Sequence, residues 1–97
     1  MEISFNEFGT VLATRALGAR IRADILESLK NDNLVTFDLQ GVTILSNSFA
    51  DECFAKLLFD IEFDVLKAKT TFKNTTADIQ HIISYAFKDR LKSFHLA

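Results

Sequence analysis

The spacing of apolar residues changes several times along this 97-residue chain. Residues 2–6 alternate between apolar and polar, whereas apolar residues recur at every fourth position from Leu17 to Leu29. The first spacing is typical of a strand with one buried face, and the second is typical of an amphipathic helix. Because strand-like and helix-like stretches follow one another three times, the sequence favours an α/β fold with a small, mainly parallel sheet packed by helices.

The predicted order of elements is β-α-β-α-β-α. The strands are expected at residues 2–6, 34–39 and 69–73, and the helices at residues 16–30, 49–61 and from residue 74 or 75 onward. Residues 8–14 fit either a loop or a short strand, and residues 62–68 are expected to be a connection. Prolines are absent and only three glycines occur, so no flexible linker is indicated and we expect one domain over residues 1–97.

Polar residues at the predicted helix starts indicate capping side chains. We expect Thr14 to cap the first helix, and Ser48, with Asp51 three residues later, to cap the second. Thr75, followed by Asp78, has the same spacing before the third helix.

Composition excludes several classes of protein. Hydrophobic residues make up 48%, with ten phenylalanines, which is incompatible with intrinsic disorder. A net charge of −2 argues against a nucleic-acid partner, and no apolar stretch is long enough to span a membrane. One cysteine, two histidines and three scattered glycines give neither metal-ligand spacing nor a phosphate-binding loop, so we expect no cofactor and a cytoplasmic location.

The most specific motif lies between Phe37 and Glu52. It consists of a strand, a glycine turn, a short apolar segment, the polar cluster of residues 46–48 and a helix start. This stretch resembles the STAS superfamily, the fold of bacterial anti-sigma factor antagonists. It is more closely similar to the short STAS-like family of unknown function, whose hallmark Ser-Phe-Ala-Asp-Glu corresponds to residues 48–52. Further matches are Arg15, Asp38 with Gly41 and Val42, residues 72–74 and residues 89–91.

The resemblance implies a regulatory module that binds another protein and is switched by phosphorylation. In anti-sigma factor antagonists, a histidine-kinase-like ATPase phosphorylates the serine at this helix start, and the phosphate abolishes binding. A gapless overlay places Ser48 on that serine. The phosphorylated families usually have Asp at the position of Ser46 and Gly at the position of Phe49. The alternative for Ser48 is therefore a helix cap with no phosphate.

The partner-binding or switch surface is expected at the start of the second helix. It comprises Arg15, Ser46, Asn47, Ser48, Phe49, Asp51 and Glu52. For Arg15, the alternatives are solvation, a salt bridge to Asp51 or Glu52, and contact with a partner carboxylate or phosphate. We also expect the two carboxylates to lie in the first turn of the helix, where they would repel a phosphate. Phe49 is expected to belong to an apolar patch shared with a partner or with a second copy of the chain.

Catalysis is not expected. Asp51 and Glu52 are adjacent on a helix, so their side chains point about 100° apart and cannot flank one bond. Cys53 falls on the apolar face of the same helix and is expected to be a buried hydrophobe. Asp38, within a strand, is expected near a sheet end or paired. The alternative to a regulatory module is a small inhibitor encoded by a phage or mobile element, which acidic clustering on one face would favour.

Overall fold

The computed structural model describes residues 1–96, and Ala97, the last residue of the predicted domain, lies outside them. The strands are β1 (Glu2–Ser4), β2 (Val11–Leu12), β3 (Val35–Asp38), β4 (Ile44–Leu45) and β5 (Thr70–Lys73). The α-helices are α1 (Arg15–Lys30), α2 (Asn47–Cys53), α3 (Phe63–Lys69) and α4 (Ala77–Leu96). Two 3₁₀ helices, at Phe5–Phe8 and Ala55–Phe59, follow β1 and α2.

The sheet confirms the prediction of parallel pairing. β3 is the central strand and pairs in parallel with β1 and β5, so that Phe37 lies beside Ile3 on one side and Phe72 on the other. β2 and β4 form a separate parallel pair. The β-branched and aromatic residues of β3 explain its central place, since Val35 and Phe37 are fully buried.

Five phenylalanines form the centre of the core, and we call them the phenylalanine cluster: Phe5, Phe37, Phe49, Phe54 and Phe72. The ring centroid of Phe54 lies 5.2 Å from that of Phe37, 5.2 Å from that of Phe72 and 5.4 Å from that of Phe5. Phe49 is fully buried and contributes an edge contact at 6.2 Å. Phe54, which follows α2, therefore contacts rings of β3, β5 and the 3₁₀ helix Phe5–Phe8.

Several element boundaries differ from the prediction. The expected connection at residues 62–68 contains α3, which buries only Leu66 and so shows no apolar period in the sequence. The expected long second helix ends at Cys53 and is followed by a 3₁₀ helix from Ala55 to Phe59. The first strand is shorter than predicted and leads into the 3₁₀ helix Phe5–Phe8, while residues 8–14 contain β2.

The helix caps are confirmed at α1 and shifted at the other two predicted sites. Thr14 caps α1, because its hydroxyl accepts a hydrogen bond from the Leu17 amide at 3.2 Å. The predicted cap at Ser48 is wrong, since Ser46 accepts from the Phe49 amide at 3.0 Å. Ser46 has the extended backbone that a capping residue needs, and its hydroxyl also donates to the Ala13 carbonyl. At α4 the capping hydroxyl belongs to Thr76 instead of Thr75.

The position of α2 between α1 and α4 determines the site described next. α2 packs against both of these helices. The approach of α1 is close at Gly18, where an added Cβ would lie 3.1 Å from the Cβ of Glu52 and 3.2 Å from the amide nitrogen of Cys53. Glycine at this position thus brings the charged side chains of α1 within reach of Asp51 and Glu52.

Candidate functional site

A groove of about 340 Å³ lies where the first turn of α2 meets α1 and α4. Its lining includes Arg15 of α1, Asn47, Ser48 and Asp51 of α2, and Tyr85 and Arg90 of α4. Ser48 and Asn47 are exposed, and both lie in the first turn of α2. The fold therefore brings three of the predicted residues of α2 together with Arg15.

Asp51 is the point at which two arginines meet. Its carboxylate accepts a two-point contact from Arg90, with Nε at 2.6 Å and Nη2 at 2.7 Å, and a third bond from Nη1 of Arg15 at 2.8 Å. The Asp51 side chain is only 16% exposed. Hydrogen bonding from Arg90 and then from Arg15 lowers the pKa of the Asp51 carboxyl to about 2. Two-point arginine–carboxylate contacts of this kind fix orientation as well as charge.

Glu52 has a different set of partners and is 9% exposed. Its carboxylate accepts from Lys56 Nζ at 2.8 Å, Arg22 Nη1 at 2.8 Å and Arg15 Nη1 at 3.1 Å. Arg22 also donates to the backbone carbonyl of Glu52. Hydrogen bonds from Lys56, Arg22 and Arg15 lower the pKa of the Glu52 carboxyl to about 2. Together with Asp51 and Arg90, these side chains form what we call the ion-pair cluster.

The ion-pair cluster joins four cationic side chains with two carboxylates. The predicted salt bridge from Arg15 to Asp51 or Glu52 is confirmed, because Arg15 contacts both. The expectation that the two carboxylates lie in the first turn is wrong, since the first turn of α2 carries no acidic residue. Because each carboxylate is paired, Asp51 and Glu52 present no net negative surface to a phosphate.

Three of the predicted surface residues do not line the groove, namely Glu52, which is buried in the ion-pair cluster, Phe49 and Ser46. The side chain of Phe49 is fully buried in the phenylalanine cluster, so it cannot take part in an exposed apolar patch. The helical period explains this, because Phe49 and Cys53 are four residues apart and share the buried face of α2. Ser46 is half-buried and uses its hydroxyl in the cap.

Sequence reasoning missed Arg22, Lys56, Tyr85 and Arg90 as members of this region. Lys56 had a usable signal, since it lies four residues after Glu52 and such pairs are neighbours on one helix face. Arg90 falls in the residues 89–91 that resemble the family pattern. Arg22 and Tyr85 carried no signal, because only the packing of α1 and α4 on α2 brings Arg22 to Glu52 and Tyr85 to the groove.

The remaining candidate residues have structural roles. Cys53 is fully buried, as predicted, and burial raises the pKa of its thiol. Asp38 accepts from the Gln40 amide at 3.0 Å and from Asn74 Nδ2 at 2.9 Å, which confirms that it is paired at the end of β3. Hydrogen bonding from Asn74, then from Gln40, lowers the pKa of the Asp38 carboxyl.

Neither a metal centre nor a membrane span is found in the part of the chain that the structure describes. Across residues 1–96, no three His, Cys, Asp or Glu side chains are grouped so that they could hold a metal ion. No helix of these residues combines the length and apolar character needed to cross a bilayer.

Comparison with known proteins identifies the family. The family model for the STAS-like domain of unknown function (DUF4325) matches residues 18–80, about two thirds of the chain. The chain belongs to this STAS-like family. The matched range includes residues 48–52, on which the resemblance rests, and the α/β architecture agrees with a STAS-like domain. Arg15 and Arg90 lie outside it. No curated protein and no solved structure matches the chain.

Proposed function

We propose that this STAS-like domain is a regulatory module that acts by binding another protein at the groove beside α2. The observation that carries the proposal is the combination of family membership with an exposed Ser48 at a groove lined by Arg15, Tyr85 and Arg90. Tyrosine and arginine are among the residue types that are enriched where binding energy is concentrated in protein interfaces. Arg15 is 51% exposed, so its guanidinium can contact a partner while it remains paired.

The second part of the proposal is a phosphorylation switch at Ser48. A histidine-kinase-like ATPase, the partner class that the family resemblance suggests, would transfer the γ-phosphoryl group of ATP to Ser48 Oγ. The hydroxyl proton and ADP would leave. The new group carries about −1.5 to −2 charges, which is enough to disrupt a docked interface. Such a partner would meet the domain in the cytoplasm.

Binding is a better match to this site than catalysis. Asp51 and Glu52 are each held by cationic side chains, so neither is available as a general acid or base. Cys53 has a raised thiol pKa and no exposed surface, which is the opposite of what a nucleophilic cysteine requires. Because Asp51 and Glu52 are paired with cations, they do not supply the acidic clustering that would favour the alternative of a small inhibitor protein.

Binding can be tested with purified protein. The domain should form a specific complex with a histidine-kinase-like ATPase encoded near it in its source genome, measured by calorimetry. Ser48→Glu should weaken this complex at least tenfold. Ser84→Glu is the matched control, because Ser84 is also exposed but lies outside the groove, and it should bind like the wild type. Equal binding by all three proteins would place the interface elsewhere.

Phosphorylation needs a separate measurement. Incubation of the complex with ATP should add the mass of one phosphoryl group to the intact domain, and Ser48→Ala should remove that gain. A domain that binds the ATPase and gains no mass would contradict the switch but not the binding role.

A further inference from the structure

Two arginines from different helices reach the groove that contains Ser48. Arg15 comes from α1 and Arg90 from α4, and both line the groove. They converge on a single atom, since Asp51 Oδ2 accepts from Arg15 Nη1 at 2.8 Å and from Arg90 Nη2 at 2.7 Å. The groove also contains the exposed carboxylate of Asp89.

Ser48 lies directly beside this meeting point. Ser48 and Asp51 are three residues apart on α2, so they share one face of the helix, with Cβ atoms about 5–6 Å apart. The Ser48 side chain is exposed and lines the groove with both arginines. A phosphoryl group on its hydroxyl would therefore enter the groove that the two guanidinium groups line.

Both arginines keep donors available for a second anion. Among the described side chains, Arg15 donates through Nη1 alone, and Arg90 donates through Nε and Nη2. A guanidinium carries five N–H groups on three nitrogens. Arg15 Nε and Nη2 and Arg90 Nη1 can thus meet phosphate oxygens while Asp51 keeps part of its present contacts.

We propose that Arg15 and Arg90 form a receptor for the phosphoryl group of phosphorylated Ser48. The proposal rests on the phosphorylation switch described above and names how the domain would read it. The phosphate competes with Asp51 for the same two guanidinium groups, because it carries more charge and three acceptor oxygens. Phosphorylation then changes the contacts that join α1 and α4 to α2, in addition to placing charge on the surface.

The test uses the full chain with phosphoserine installed at position 48 during synthesis, so that neither a kinase nor a partner is needed. ³¹P NMR titration measures the second pKa of the phosphate, which is ordinarily about 6. The receptor should lower this pKa by about one unit, since nearby cations favour the doubly charged form. Arg15→Gln and Arg90→Gln should each move the phosphate pKa back toward its ordinary value. Lys92→Gln is the matched control, because Lys92 is an exposed cation of α4 outside the groove, and it should leave the shift in place.

A phosphate that titrates near its ordinary pKa in the wild type, or identically in all four proteins, would overturn the receptor. If Arg90→Gln does not fold, the half-exposed Arg15 still decides the result. An ordinary phosphate titration together with phosphorylation-sensitive partner binding would reject the receptor and keep the proposed function. A lowered phosphate pKa without ATP-dependent phosphorylation of the unmodified domain would keep the receptor and reject the phosphorylation switch.

Discussion

The phenylalanine cluster and the ion-pair cluster both include residues of α2, but they are stabilised by different interactions. Phe49 and Phe54 pack into the sheet through many weak contacts that depend on shape and volume. Asp51 and Glu52 instead depend on a few directed bonds to cations of α1, α4 and the 3₁₀ helix Ala55–Phe59. Changes of volume should therefore act on the first region, and changes of charge or pH on the second.

The largest effect is expected from Phe54→Ala in the phenylalanine cluster. Phe54 is fully buried and lies within 5.4 Å, between ring centroids, of Phe5, Phe37 and Phe72. Truncation should lower the free energy of unfolding by about 3–5 kcal/mol, from lost apolar contacts and the cavity left behind. A urea titration measures this change in the free energy of unfolding.

Phe59→Ala is the control, because this phenylalanine is 58% exposed. Its ring makes an edge contact with Phe94 and lies under the Arg90 guanidinium, and its loss should cost about 1 kcal/mol or less. Equal costs at both positions would show that the buried cluster has no special weight in the fold.

Glu52→Gln should produce the next largest effect, through charge at nearly constant volume. The substitution leaves Arg22 and Lys56, both largely buried, without the carboxylate that now pairs them. We expect a loss of about 2–3 kcal/mol in the free energy of unfolding. Asp32→Asn is the control, because it removes a carboxylate that is 86% exposed and paired with Lys69, and its cost should be much smaller than that of Glu52→Gln. If Glu52→Gln leaves the free energy of unfolding unchanged, the ion-pair cluster adds no stability.

Lowering the pH should weaken the ion-pair cluster and leave the phenylalanine cluster unchanged. The folded pKa values of Asp51 and Glu52 are about 2, below the ordinary 3.8 and 4.5, so the unfolded chain takes up protons first as the pH falls. Their contribution is complete above about pH 5 and is lost progressively as the pH falls toward 2. Urea titrations from pH 7 to pH 3 measure the slope. The double variant Asp51→Asn/Glu52→Gln should flatten it, whereas Phe54→Ala should keep the wild-type slope.

The smallest effect on stability is expected at Ser46 and Ser48, which lie two residues apart. Ser46→Ala should cost about 1 kcal/mol, because Ser46 caps α2 and also donates to the Ala13 carbonyl. Ser48→Ala should change the free energy of unfolding by less than about 0.5 kcal/mol, since its side chain is exposed and makes no cap bond. Thermal unfolding of the two variants measures the difference. A larger loss of stability for Ser48→Ala would mean that Ser48 is the capping residue of α2.

Local patterns in the sequence predicted much of the fold. The four-residue apolar period identified α1 and placed Ile21 and Ile25 in the core, where both are buried. The β-forming residues around Phe37 identified the central strand. Short elements with one buried residue, such as α3, left no period to detect. The cap of α2 was misplaced because residues 46–48 offer two serines and only the end of β4 at Leu45 decides between them.

The sequence by itself determined the family and the parallel α/β order. Those properties follow from spacing and from a motif of consecutive residues, which need no knowledge of distant parts of the chain. Only the tertiary structure decided that Asp51 is shared by Arg15 and Arg90, which lie 36 and 39 residues away along the chain. It likewise turned Phe49 into the core and left Ser48 exposed beside the arginines. The reason is physical, because directed contacts between distant helices depend on how those helices pack.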